Sequence, residues 1–352
     1  MRILIKGTNW IGDAVMSIPA IMQIRRAFPE SFIALHTRKW AEGVFGEIGL
    51  FDQLISFEPQ GSRMRTVIDQ SKELRGFSFD LAVLLPNSFE SALTVALAGI
   101  QRRFGYRTDG RRILLTDSIP VPGWKGDRHE SEFYSNLSNF VISKTGGSHA
   151  ALPHSSPHLI ISDEQKYAVI KRLKSLGLNT ERHFVAIGAG STNSMAKRWP
   201  LEYFAKLCDA FSSEFGAEIV LLGSSSEAGV GKGLSELTKA RVYDLTGKTD
   251  LPSAMAILDV ADLFVSNDMG LAHISAGLGT PTLTLFGPTN EVATAPLGMN
   301  ARFVREVVEC SPCMLRECPI DHRCMRRLDP DRVFAIASEM LRDRNKLNEG
   351  SN

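Results

Sequence analysis

Short apolar, β-branched runs alternate with helix-length stretches along nearly the whole chain, and that alternation occurs twice. Arg2–Lys6 (RILIK) ends at Gly7 and has the composition of a buried strand. Ala14–Phe28 follows, with Val15, Ile18, Met22 and Ile24 near helical spacing and Pro19 inside, where a kink is expected. Strands at Ser31–His36, Leu54–Phe57 and Phe79–Leu85 then alternate with helices at Trp40–Ile48, Met64–Leu74 and Ser88–Leu97. Strands separated by helices of this length form βαβ units and a parallel sheet.

Between about Lys144 and Ser162 the periodicity fades into Gly146, Gly147, Pro153 and Pro157 among Ser and His, the composition of a linker. A second series follows, with strands at Phe184–Ile187, Glu218–Leu222, Leu263–Ser266 and Thr282–Phe286. Its helices are Leu201–Phe215, a stretch after Ser226, Ser253–Val260 and Leu271–Ala276. Asp329-Pro330-Asp331 has the letters of a metal motif, but it precedes a helix and reads better as its capped start. The expected fold is α/β, two Rossmann-like domains facing a central cleft, because open parallel sheets bind ligands beyond their strand C-termini. The expected divisions are residues 1–155, residues 156–330, and a helix and tail over 331–352 that packs back on the N-terminal domain.

Charge narrows the function. Forty Lys+Arg against thirty-nine Asp+Glu leave a net charge of +1, so no global field draws the chain to nucleic acid. The longest apolar runs fall far short of the roughly 20 residues that span a bilayer. Met1–Gly7 alternates like a strand and Asp13 interrupts any apolar leader, so the expectation is a water-soluble, cytoplasmic protein.

Chemistry concentrates at the turns after strands. Gly7-Thr8-Asn9-Trp10-Ile11-Gly12-Asp13 joins the first strand to the first helix and is neither a dinucleotide fingerprint nor a P-loop. Asp13 is either a helix cap or a general base that takes a proton from an attacking hydroxyl. Gly190-Ser191-Thr192 leads into Lys197-Arg198-Trp199-Pro200, where small residues, hydroxyls and cations suit a diphosphate. Glu227 suits ribose hydroxyls or a first-turn helix acid. Ser266-Asn267-Asp268-Met269-Gly270-Leu271-Ala272-His273 ends a strand and starts a helix, so free N–H groups and a positive dipole end await an anion there.

The loop ending in Gly12-Asp13, the K-R-W-P at Lys197–Pro200 and the S-N-D-x-G-L-x-H at Ser266–His273 resemble those of the ADP-heptose:lipopolysaccharide heptosyltransferases, glycosyltransferase family 9. Phe286-Gly287-Pro288-Thr289 also fits, and within the family the heptosyltransferase II group is the most similar. The resemblance implies a GT-B fold with the acceptor on the N-terminal domain and ADP-heptose on the C-terminal one. It implies inverting transfer that requires no cofactor, with Asp13 as base, Lys197 on the diphosphate, Glu227 on the sugar nucleotide, and Asp268 with the following amides at the diphosphate. Gly190, Ser191, Thr192, Met269, Gly270, Leu271 and His273 complete the implied donor site, and Gly12 adjoins the acceptor. Met269 departs from the pattern, because relatives often carry Ser or Thr there, so one hydroxyl contact to phosphate is missing. The implied acceptor is the lipopolysaccharide inner core, Kdo-lipid A bearing heptose, reached at the inner-membrane surface. A non-catalytic ADP-sugar binder would need only the second half, and a GT-B-like epimerase would release no glycoside.

Gly99–Arg112 (GIQRRFGYRTDGRR) holds five arginines against one aspartate, a basic patch suited to an anionic acceptor or membrane surface, with Arg103 and Arg107 as candidates. A solvated loop with its own ion pairs explains the same letters. Finally, four of five cysteines fall in Cys310-x2-Cys313-x4-Cys318-x5-Cys324. The spacing is shorter than a usual zinc ribbon and leaves a structural zinc, two disulfides or free thiols open.

Overall fold

The computed structural model describes residues 1–148 and 156–349. The chain divides into two compact units, Met1–Pro157 and His158–Asn352. Part of the expected linker, residues 149–155, lies outside the described residues, as does the end of the tail.

The first unit runs β1 (Arg2–Lys6), α1 (Ile11–Ala27), β2 (Phe32–Arg38), α2 (Glu42–Phe45), β3 (Gln53–Phe57), α3 (Arg63–Arg75), β4 (Leu81–Leu84), α4 (Phe89–Leu97), β5 (Arg102–Tyr106), β6 (Asp117–Ile119) and α5 (Glu130–Thr145). Its six strands are ordered β3-β2-β1-β4-β5-β6, all parallel. This is the doubly wound Rossmann order, which reverses direction at the central strand β1. β1 pairs Lys6 with His36 on one side and with Leu84 on the other. Helices cover both faces, so Ile3, Leu4 and Ile5 of β1 are all buried, which is why the strand reads as a continuous apolar run. Leu4, Ala34, Ile55, Leu74, Ala82, Ala92 and Val95 fill one of these cores, each large side chain contributing about 2 kcal/mol by burial. α1 continues through Pro19 rather than ending there, and packs along α5. The helix expected at Trp40–Ile48 is shorter, a 3-10 turn at Lys39–Ala41 followed by α2.

The second unit runs α6 (Asp163–Ser175), β7 (Phe184–Gly188), α7 (Leu201–Phe215), β8 (Glu218–Leu221), α8 (Ala228–Leu237), β9 (Val242–Asp244), α9 (Leu251–Val260), β10 (Leu263–Asn267), α10 (Gly270–Gly277), β11 (Thr282–Phe286), α11 (Glu291–Thr294), β12 (Ala301–Arg305), α12 (Arg323–Arg326) and α13 (Pro330–Glu349). Its sheet, β12-β11-β10-β7-β8-β9, is again parallel and repeats the order of the first with β7 in the place of β1. Val333, Ala337, Met340 and Leu341 of α13 enter the core of this second unit beside Phe204, Leu207 and Phe211 of α7. The closing helix is thus anchored in the second unit.

Candidate active site

In the first unit the turn after β1 is Gly7–Trp10. α1 begins with Trp10 as its N-cap, whose side chain makes no capping bond. Asp13 therefore is not the cap. It lies half-buried in the first turn, and its Oδ1 accepts a hydrogen bond from the Tyr134 hydroxyl of α5 at 3.0 Å. Burial pushes the Tyr134 phenol well above its ordinary value, and the Asp13 and Glu130 charges push it further. The phenol therefore stays protonated and keeps donating to the carboxylate. Gly12 occupies the position before Asp13 in the same turn, half-buried.

The basic stretch at 99–112 does not form a charged loop. β5 runs through it, and its arginines divide by their place on the strand or beyond it. Arg103 lies near the N-terminal end of β5. Its guanidinium donates to the Leu114 carbonyl and the Ile100 carbonyl, both at 2.6 Å, which accounts for it structurally. Arg111 is fully buried and donates to Tyr106 O at 2.9 Å, Ser91 Oγ at 3.1 Å, Asn87 Oδ1 at 3.2 Å and the Pro86 carbonyl. Arg102 pairs with Asp117 at 3.7 Å. Arg107 follows the C-terminal end of β5, the ligand-binding edge of such a sheet, and is exposed, bonded to Ser118 Oγ and O at 3.2 Å.

The second unit gathers a denser set. Asp268 follows β10 directly and is buried. Its Oδ2 accepts from Lys197 Nζ at 2.7 Å and from Thr289 Oγ1 at 2.8 Å, so the turns after β7, β10 and β11 converge on one carboxylate oxygen. Asn267, the last residue of β10, fixes these turns. Its Oδ1 accepts from Trp199 N at 3.0 Å, and its Nδ2 donates to Ala189 O at 2.8 Å and Gly190 O at 3.2 Å. Trp199 is buried and donates through Nε1 to Leu328 O at 3.0 Å. Arg198 turns back into its own loop, its Nη2 donating to the buried Ser191's carbonyl at 3.1 Å, which leaves Lys197 as the cation at the converging turns.

α10 starts at Gly270 with Met269 as N-cap and no side-chain capping bond, so its first amides lack an intrahelical or capping acceptor, two residues beyond Asp268. The sulfur of Met269 lies over Gly188, 2.7 Å from where a Cβ would stand. His273 is buried one turn further into the helix. Across the loop, Glu227 is 2% exposed. Its Oε2 forms a capping box with Ser224, accepting from Ser224 N at 2.7 Å and Ser224 Oγ at 2.9 Å. Its Oε1 is buried with no hydrogen-bond partner among the described residues. That oxygen lies 2.2 Å from where a Cβ on Gly190 would stand, so any side chain at 190 would have to displace the carboxylate. Thr192 is exposed, with its hydroxyl 3.3 Å from Ser224 Oγ.

Sequence reasoning missed Tyr134, and had Asn267 and Thr289 only as parts of motifs. All three act across long chain separations, which no local pattern reveals. The cysteines are all free. Burial and the neighbouring Cys310, Cys313 and Cys318 push the Cys324 thiol up to about 11. Among the described residues, no three His, Cys, Asp or Glu side chains are gathered closely enough to hold a metal ion.

Comparison with known proteins covers both units. Lipooligosaccharide heptosyltransferase 2 of Haemophilus ducreyi is 28% identical over 97% of this chain and 99% of its own length. Lipopolysaccharide heptosyltransferase 2 of Escherichia coli is 28% identical over 87% of this chain and 88% of its own. Among solved structures, the E. coli ADP-heptose lps heptosyltransferase II superimposes with a TM-score of 0.83 at 25% identity, covering 98% of this chain and all of that one. A family 9 glycosyltransferase from Veillonella parvula gives 0.85 at 20% identity, covering 97% of each chain. The expected α/β, GT-B class is the one these structures share. The model of glycosyltransferase family 9 (heptosyltransferase) matches residues 67–323, and the chain belongs to that family and is a glycosyltransferase.

Proposed function

We propose that the chain transfers a heptosyl group from ADP-L-glycero-D-manno-heptose to a heptose of the lipopolysaccharide inner core, with inversion and without a metal ion, at the cytoplasmic face of the inner membrane. The observation that carries this reading is the convergence of Lys197, Asp268 and Thr289 beside the uncapped start of α10. An ammonium and free helix amides on the C-terminal edge of a Rossmann sheet make a diphosphate site. Asp268 carries the charge of a phosphate and would repel one, so its part is to aim Lys197. The amides of Gly270 and Leu271 take the phosphate oxygens, and Thr192 adds a hydroxyl. The unused Oε1 of Glu227 accepts from a ribose hydroxyl, satisfying a buried acceptor that otherwise has no partner.

Asp13, oriented by Tyr134, takes the proton from the acceptor hydroxyl. The freed oxygen bonds to the anomeric carbon as the bond to the ADP oxygen breaks on the opposite face. The transition state is oxocarbenium-like, and negative charge grows on the departing diphosphate. Lys197 and the α10 amides meet that charge, so positive charge is supplied by protein groups. Arg107, exposed at the ligand edge of the first sheet, suits the phosphates and carboxylates of the acceptor. Among the described residues no helix is long and apolar enough to cross a membrane, so contact with the lipid A surface would be peripheral.

The test is to incubate the protein with ADP-heptose and core acceptors carrying zero, one or two heptoses, with EDTA present, and to weigh the products. A gain of one heptosyl unit on the one-heptose acceptor is expected. Donor binding with no mass gain on any acceptor would leave a sugar-nucleotide binder instead.

A further inference from the structure

The cysteine-bearing segment between β12 and α12, residues 306–322, is bonded to both walls of the charged site. On one wall, Ala196 N donates to the Arg316 carbonyl at 2.9 Å and Ser194 Oγ donates to the same carbonyl at 3.2 Å. The His322 ring closes that contact, its Nε2 2.6 Å from the Ala196 carbonyl. A carbonyl only accepts, so Nε2 carries the hydrogen here. On the other wall, Met314 N donates to the Pro288 carbonyl at 2.8 Å and Ser311 Oγ donates to the Gly287 carbonyl at 2.5 Å. Lys197 directly follows Ala196, and Thr289 directly follows Pro288. The segment therefore grips the residue before each partner of the Asp268 carboxylate.

We infer that residues 306–322 are a spacer that sets the distance between Lys197 and Thr289 across Asp268, and that His322 is the positioning residue for Lys197. Lysine is a point charge on a flexible four-carbon stem, so its ammonium is only as well placed as the backbone that carries it. That backbone is a three-residue 3-10 turn, Met195–Lys197, which has few bonds of its own. His322 holds it from a left-handed backbone, φ 57°, a conformation glycine or asparagine adopts more readily. The side chain accounts for a histidine there, because neither of those residues carries an N–H far enough out to reach Ala196.

The inference rests on the proposed reaction, and the test separates the two. Full-length His322→Ala, His322→Gln and Ser311→Ala are compared with the wild type for kcat and KM in heptosyl transfer, for thermal midpoint, and for the Lys197–Asp268 distance in crystals. The expected result for His322→Ala is a kcat loss of about 10–100-fold, the scale of an ångström's misplacement of a catalytic group, with acceptor KM and thermal midpoint unchanged. His322→Gln keeps an amide donor and should recover most of kcat, while Ser311→Ala should lose less, having removed one bond on the opposite wall. The spacer role is overturned if His322→Ala keeps kcat within twofold, or if both His322 variants lose activity in parallel with thermal midpoint. Should the wild type transfer no heptose, the proposed function falls, and the crystals alone decide the spacer. A Lys197–Asp268 pair still near 2.7 Å in His322→Ala overturns it, and a separated pair supports it.

Discussion

Asp13 sits where a helix would welcome a capping carboxylate, yet it reaches instead for a phenol on another helix. Tyr134→Phe keeps the ring and removes only that donor. It should lower kcat about tenfold and leave ADP-heptose affinity unchanged, because a free carboxylate samples unproductive rotamers. Asp13→Asn should lose transfer by on the order of 10²–10⁴ with donor binding intact, measured by calorimetry beside turnover; near-wild-type turnover would remove the base. Gly190→Ala places a methyl on Glu227 Oε1 and must displace that carboxylate, so the donor KM should rise while acceptor KM stays. Asp13, Lys197 and Asp268 were legible in the sequence because each lies between an apolar strand and the body of the helix that follows it. Tyr134 was not, because its bond spans 121 residues, and Asn267 was legible only as a motif letter, because its bond to Trp199 spans 68.

Among elements, Asn267 shows what a strand end contributes. Its amide ties the last residue of β10 to both sides of the β7–α7 loop, so Asn267→Leu should strand the buried Trp199 amide and two carbonyls. The expected cost is on the order of 2–3 kcal/mol in urea unfolding, with weakened ADP binding because Lys197 lies on that loop. The strands found from sequence were the apolar ones. β6, β9 and β12 escaped because they are edge strands with half-solvated letters (DSI, VYD, ARFVR), and β5 because its RRFGY opens on two arginines. The same stretch reads as a charged patch, whereas Arg103 of β5 and Arg111 of the 3-10 turn after it bind main-chain carbonyls. The cysteine segment is a matter for metal analysis. Cys310, Cys313 and Cys318 lie near enough to raise the Cys324 thiol, so reductant-treated protein carrying one equivalent of zinc would show that the segment closes around metal, and well below one equivalent would leave free thiols.

At the scale of the whole molecule, two units each own a core and a Rossmann sheet of the same strand order. The proposed donor site lies wholly in the second. Calorimetry should therefore show two transitions, with ADP at about a hundred times its Kd stabilising only one by about 2.7 kcal/mol; equal shifts in both would contradict that division. The first unit should also be sensitive to acid. His36 lies buried beside Lys6, whose Nζ is 2.8 Å from its Nδ1. Burial, and then the Lys6 charge, hold its imidazole well below the ordinary 6.5. The native state keeps His36 neutral while the unfolded chain takes up a proton below about pH 6.5, so stability falls as pH drops through that range. Replacing it by Gln should flatten the fall in a pH series of thermal midpoints.

The Tyr134–Asp13 bond also has a timetable. The carboxylate leaves the ribosome before its partner, and the hydroxyl bonded to it follows 121 residues later on α5, the last described helix of its unit. A nascent chain halted before Glu130 would carry the complete β1–α1 turn and Asp13 without its Tyr134 bond. Because domains fold as units during synthesis, the proposed base is oriented only once the first half of the chain has closed on itself.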